Sequence, residues 1–281
     1  MKISVITVNY NDAVGLRRTL ESVAAQNYHN IEHIVIDGGS SDDSVNVIQE
    51  YVTKVKSEEG SGKSVIWVSE KDKGIYNAMN KGIRKATGGY IQFLNSGDWY
   101  AAPDVLEQIA GELEKHNNPK MLFGTCIDID DEGRRYPQGK DIKYSLLQLY
   151  ESSYPHETSF FKRELFEADK YGMFDESLRI VSDWKWFLEA IGVGQLKPIF
   201  VDVDVAFFDV HGISSTHKEL DKKERRKVLE EVLPPAILRD YDKYAFEMMQ
   251  MDRLKKHHLY GLVYFMERVL FKLEKWHILK K

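Results

Sequence analysis

The chain has 281 residues, 43% of them hydrophobic, enough for one large domain or two small ones. Its 39 basic against 44 acidic side chains leave a net charge of −5, which argues against a dedicated nucleic-acid binder, a class that carries excess Lys and Arg. Cys126 is the only cysteine, which excludes an intramolecular disulfide and a cysteine metal cluster and suits a reducing compartment.

Ile3 to Val8 is predicted as the first strand. It stops in the polar turn Asn9-Tyr10-Asn11-Asp12, too early for a signal peptide. Leu16, Leu20, Val23 and Ala24 then recur at helical spacing and give one apolar face. Glu32 to Asp37 is a second strand, followed by Gly38-Gly39-Ser40-Ser41-Asp42-Asp43 and a helix marked by Val45, Ile48 and Val52. Ser57 to Ser64 is an exposed loop. Val65 to Val68 is a third strand, ending in Ser69-Glu70-Lys71-Asp72-Lys73-Gly74. In the next helix Ile75, Ala78, Met79, Gly82, Ile83 and Ala86 share one side, which leaves Asn77, Asn80, Lys81 and Arg84 elsewhere on its surface. Tyr90 to Leu94 is a fourth strand, cut off by Asn95-Ser96-Gly97-Asp98. A helix with Val105, Leu106, Ile109 and Leu113 follows Pro103.

This alternation predicts an α/β fold, Rossmann-like, with a mostly parallel sheet flanked by helices. Right-handed crossovers gather the strand-end turns along one edge, where such sheets bind ligands. Thr7, Asn9, Asp37, Asp72 and Asp98 are therefore expected near one cleft. A carboxylate on the short turn at Asp98 can hold a hard cation, and the cation can hold phosphates. The plainer reading of Asp98 is a cap on the following helix.

The second half is less regular. Met121 to Ile127, Thr158 to Phe161 and Phe200 to Phe208 are predicted strands, and Ser182 is the predicted N-cap of a helix carrying Asp183 and Trp184. In the last strand Val201, Val203, Val205 and Phe207 alternate with Asp202 and Asp204, which fits a solvated face better than a second acidic motif. From Glu219 onward the pattern is helical, with Pro234-Pro235 between two helices. Residues 254–281 carry seven Lys or Arg against two Glu, a net +5, so residues 1–253 carry −10. With its many apolar and aromatic side chains, this tail suits an anionic membrane surface. Packing on the core, or on a second subunit in a homodimer, explains it equally well. No window approaches the roughly 18 apolar residues of a membrane span, so the expectation is a cytoplasmic protein, free or peripheral on the inner face of the cell membrane.

Four stretches, Ile3 to Asn11, Val35 to Asp42, Asp72 to Gly82 and Phe93 to Asp98, together resemble the family 2 glycosyltransferases of the GT-A fold, most closely the bacterial surface-polysaccharide type. The likeness is strong over residues 1–100, weaker from Pro155-His156 to Ser214, and gives no guidance beyond. It implies a GT-A domain at 1–215, with a nucleotide-sugar half (1–100) and an acceptor half (101–215), and a helical C-terminal extension at 216–281. It further implies a nucleotide-diphosphate sugar, UDP first among the nucleotides, and Mg²⁺ or Mn²⁺. A hexosyl or N-acetylhexosaminyl group would pass with inversion to a glycan or lipid-linked acceptor.

By motif position, Thr7, Asn9 and Asp37 would line the nucleoside pocket, with Asp37 toward the base. Asp72, Asn80, Lys81 and Ser96 would lie near the donor, Asp98 would be the metal ligand, and Asp183 would be the catalytic base. His211, before Gly212, sits where many GT-A enzymes contact the metal or diphosphate. His156 would touch the acceptor or a phosphate, and Trp184 could stack on a sugar ring; a structural His and a core Trp are the plainer readings. The chain departs from the family pattern at Ser96, where the first acid of the metal motif is missing, and at Asn77, where relatives often have Asp. The missing acid keeps a rival reading open, a non-catalytic nucleotide-sugar-binding protein or scaffold. A nucleotidyltransferase would need a Gly- and Arg-rich loop in place of Asn9-Tyr10-Asn11-Asp12.

Overall fold

The computed structural model describes residues 1–58, 60–129, 133, 135–140, 142–209, 217–257 and 260–275. Four strands, β1 (Ile3–Asn9), β2 (Ile31–Asp37), β3 (Lys63–Ser69) and β4 (Tyr90–Phe93), pair in parallel in the order β3-β2-β1-β4. Every residue of β1 and β2 is buried, which is why both are rich in branched apolar residues on both faces. Helices α1 (Ala13–Ala24) and α2 (Ser44–Ser57) cover one face, with Leu16, Leu20, Ile48 and Tyr51 packed around Val35. Helix α3 (Ile75–Lys85) covers the other, where Gly82 sits so close that a Cβ there would lie 2.5 Å from Ile6 Cγ2.

One expectation fails on α3. Asn80, placed by pattern on the helix surface, is buried. Its amide accepts from Phe174 N at 3.0 Å and donates to Phe174 O at 2.8 Å and Glu176 Oε1 at 2.9 Å, so a distant segment covers it.

Beyond β4 the sheet becomes mixed. The remaining strands are β5 (Trp99–Tyr100), β6 (Met121–Ile129), β7 (Arg135–Gln138), β8 (Ser159–Lys162) and β9 (Ile199–Asp209). The order continues β4-β8-β6-β9-β5, with β7 on β6, and only β6–β9 is parallel. Helix α4 (Val105–Lys115) packs Leu106, Ile109 and Leu113 against Ile3, Val5 and Val203. A short α5 (Leu146–Glu151) precedes β8, and α6 (Ser182–Phe187) runs on as one wider turn, Leu188–Val193. Ser182 is the first residue of α6 rather than its cap; Val181 holds that place, and the buried Ser182 Oγ has no partner.

The chain ends in α7 (Lys218–Val232), α8 (Pro235–Lys256) and α9 (Tyr260–Lys275). Pro235 opens α8, where a missing N–H costs nothing. The molecule divides into two compact units, Met1–Val228 and Leu229–Lys281. In the second, α9 leaves Tyr264, Phe265, Met266, Leu270 and Phe271 exposed. No helix among the described residues is long and apolar enough to cross a membrane.

Candidate active site

The register of the parallel strands sets Asn9 beside Asp37 and Asp37 beside Ser69. Asp37 is fully buried and saturated: Oδ1 accepts from Asn9 Nδ2 and Ser40 Oγ, and Oδ2 from Ser69 Oγ and the Gly39 and Ser40 amides. Burial works against its charge, but these bonds outweigh it and hold the carboxyl below the usual range. Asn9 Oδ1 and Asp72 Oδ2 are different, being buried acceptors with no hydrogen-bond donor. A Cβ on Gly38 would meet Tyr10 Cδ2 at 3.2 Å, Asp72 Oδ2 at 3.4 Å and Asn9 O at 3.5 Å, so these groups wall one crevice. Tyr10, which the sequence reading passed over, is 68% exposed at its mouth.

Lys81 reaches the same edge from α3, with Nζ at 2.5 Å from Asp72 Oδ1 and 2.7 Å from Glu70 Oε1. Thr7 lies deeper. Its hydroxyl donates to Leu94 O, so it accepts from His33 Nε2 at 3.0 Å, and His33 Nδ1 in turn accepts from Tyr51 OH at 2.7 Å. Burial pushes His33 down to about 3, which keeps it neutral in that role.

Asp98 follows a tight turn made possible by Gly97 at φ 100°. Helix α1 clamps that turn. Thr19 Oγ1 accepts from Gly97 N and donates to Asp98 O at 2.6 Å, Arg18 donates to Gly97 O, and its guanidinium lies 3.8 Å over the Trp99 ring. Ser96, in the place of the missing acid, lies with Oγ 3.1 Å from Asp12 Oδ2.

The later part of the chain supplies a charged cluster facing this turn. His156 Nδ1 lies 3.2 Å from both Asp183 Oδ2 and Glu157 Oε1. Burial disfavours the imidazolium, but the charges of Glu157, Asp183 and Asp98 prevail and raise it to about 9. Asn95 Nδ2 lies 3.1 Å from His156 Nε2, while Asn95 Oδ1 is buried without a partner; turning that amide over gives the imidazolium its second acceptor. Burial opposes the Asp183 charge too, yet His156 and the Tyr76 hydroxyl, 2.7 Å from Oδ1, hold its carboxyl low and ionised. Tyr76 also touches Ile180 O, so one phenolic proton serves two acceptors.

A cavity of about 990 Å³ opens beside Asp183 and His156 and runs between the ends of β6 and β9 and helix α7. Trp184 forms part of its floor. The indole is almost fully buried, donates to Leu149 O at 2.7 Å, and is covered by Arg225, 4.5 Å above the ring. Asp202 and Asp204 stand exposed at the rim. His211 lies outside the described residues. The sequence reading missed Tyr76, Glu157 and Arg225, because an interior partner of a charged group leaves no local pattern.

Residues 4–179 match the family described as Glycosyl transferase family 2. The chain belongs to that family. An uncharacterized glycosyltransferase of Mycobacterium tuberculosis is 36% identical over 222 residues, covering 77% of this chain and 78% of that protein. Escherichia coli chondroitin synthase is 27% identical over 265 residues, covering 89% of this chain and 37% of the synthase. Among solved structures, S. aureus TarS in complex with UDP-GlcNAc superposes with a TM-score of 0.65 at 19% identity, covering 83% of this chain and 65% of that one. The mannosyltransferase PcManGT of Pyrobaculum calidifontis, in complex with GDP-Man and Mn²⁺, gives 0.58 at 19% identity, covering 80% of this chain and 60% of that one. These likenesses establish the GT-A fold for this glycosyltransferase.

Among the described residues no three His, Cys, Asp or Glu side chains come together as a metal site. Asp98 supplies one buried carboxylate. That suits an ion of the Mg²⁺ kind, which takes one or two carboxylates and fills its shell with phosphate oxygens and water.

Proposed function

We propose that the protein is an inverting, metal-dependent glycosyltransferase that moves a hexosyl or N-acetylhexosaminyl group from a nucleotide-diphosphate donor, UDP-linked first among candidates, to a glycan or lipid-linked acceptor. The observation that carries this reading is the ionised Asp183, held by His156 and Tyr76 at the wall of the large cavity. The nucleotide sugars bound by TarS and PcManGT support the donor class.

In this reading the crevice of Tyr10, Gly38 and Asp72 takes the nucleoside. The unpartnered Asp72 Oδ2 and Asn9 Oδ1 accept from its N–H or hydroxyl groups, and the Tyr10 ring stacks on the base. Asp37 and Thr7 act one layer below, holding Asn9 and the strand ends in place. Asn80 holds the 174–176 segment against α3, next to the donor edge. Asp98 would hold Mg²⁺ or Mn²⁺, which when bound supplies positive charge at the leaving diphosphate.

Asp183 accepts the proton of the acceptor hydroxyl as its oxygen attacks the anomeric carbon from the face opposite the nucleotide. The new C–O bond forms while the bond to the diphosphate breaks, and the nucleoside diphosphate leaves with that electron pair. Configuration at the carbon inverts. His156, as an imidazolium, keeps Asp183 ionised and oriented before the proton arrives.

The test is a thermal-shift screen of UDP-, GDP- and dTDP-sugars with Mn²⁺ or Mg²⁺, followed by product analysis. A donor at 100 times its Kd should raise the melting temperature by about 5–10 °C for a chain of this size. A flat response to all donors with metal present would remove the proposal.

A further inference from the structure

The cavity beside Asp183 has a charge pattern that the family resemblance does not provide, because part of its wall lies outside the matched segment, on α7. Three described side chains on that wall are basic: Lys140, His156 and Arg225. Each already faces a carboxylate. Arg225 Nε lies 3.2 Å from both oxygens of Asp221, Lys140 Nζ lies 3.7 Å from Asp202 Oδ2, and His156 lies 3.2 Å from Asp183 and Glu157. Glu151 and Asp204 add negative charge at the exposed rim with no cation to match them among the described residues. The guanidinium of Arg225 also lies 4.5 Å over the Trp184 ring, and its Nη1 is buried without a hydrogen-bond partner.

We propose that this cavity is the acceptor site and that it selects an uncharged sugar, excluding acceptors with a carboxylate, phosphate or sulfate next to the accepting hydroxyl. The proposal rests on the glycosyltransferase reading above and names the substrate class of the same site. The cavity is at the upper end of the size that encloses a drug-sized ligand, so a disaccharide end fits inside. Hydroxyls of a neutral sugar can donate to the surplus carboxylates, whereas an anionic group meets a described lining in which seven acids outnumber three bases. Like charges across an interface suppress the wrong partner strongly.

The test uses the full chain, the donor found by thermal shift, and matched acceptor pairs: methyl glucoside with methyl glucuronide, methyl galactoside with methyl galacturonide, and N-acetylglucosamine with its 6-phosphate. Nucleoside diphosphate release above donor hydrolysis is the readout. At least one neutral member should stimulate release on the order of 100-fold more than its charged twin. The double variant Glu151→Gln with Asp204→Asn should narrow that ratio about 10-fold, and so should raised salt. A charged twin that equals its neutral partner, no stimulation by any neutral member, or an unchanged ratio in the double variant would overturn the proposal. A protein that neither binds nor hydrolyses any nucleotide sugar would instead refute the glycosyltransferase reading beneath it.

Discussion

His156 Nδ1 lies 3.2 Å from Asp183 Oδ2, which joins the segment before β8 to the start of α6. The pair has a pH signature. His156 is raised from 6.5 to about 9 in the folded chain, so the stability it contributes is fully present below about 6.5 and fades as pH climbs through about 9. His156→Gln should cost about 3–5 kcal/mol at pH 6.5 and flatten the fall in stability between those limits. Urea melts of both proteins at pH 6.5, 7.5 and 9 decide it; parallel curves would mean the pair carries no net stability.

Asp183→Asn should lower kcat by roughly 10²- to 10⁴-fold while the donor-induced rise in melting temperature persists. Tyr76→Phe, which removes one of the bonds to the same carboxylate, should lower kcat by about 10-fold with KM for donor little changed. Equal activity of wild type and Asp183→Asn would assign the base elsewhere.

Asp98→Asn should abolish the part of donor stabilisation that depends on Mn²⁺. In wild type, EDTA should cut the donor-induced shift by at least half; in the variant, EDTA should make no difference. Calorimetry of donor binding with and without the ion checks both, and a wild type indifferent to EDTA would argue for a metal-free enzyme.

Asn80→Ala removes three hydrogen bonds at a buried site. The expected cost is about 2–3 kcal/mol of stability. Donor KM should change much less than it does in Asp72→Asn. A large donor effect without a stability loss would place Asn80 in contact with the nucleotide instead.

The second unit invites a membrane experiment. Helix α9 exposes Phe265, Leu270 and Phe271 within a segment of net charge +5. Full-length protein should sediment with vesicles containing phosphatidylserine, more weakly as salt rises, and a chain ending at Arg253 should not. If the shortened chain forms monomers where the full one dimerises, with no vesicle binding by either, the tail is a subunit contact.

Much of the first hundred residues could be read from consecutive side chains. The seven-residue runs of β1 and β2, the turn at Asn95-Ser96-Gly97-Asp98 and the edge on which Asn9, Asp37 and Asp72 meet all follow from local rules. β5, with two residues, and β7, exposed throughout, carried no such pattern and were missed. Asn80 looked like a surface residue because its own helix supplied no partner; Phe174 and Glu176, far along the chain, supplied them.

What the sequence determined alone was the alternation of strand and helix, the chemistry at each strand end, and the candidate acid Asp98, with Asp183 singled out by the family resemblance. Burial period and turn residues are properties of neighbours in the chain, so they survive without coordinates. Only the tertiary structure decided that Asp183 is held between His156 and a tyrosine 107 residues away, and that Arg225, beside Asp221, lines the cavity wall. Those contacts depend on sheet order and on helices crossing at a particular depth, and a charge buried by distant packing takes its state from groups that no local pattern names.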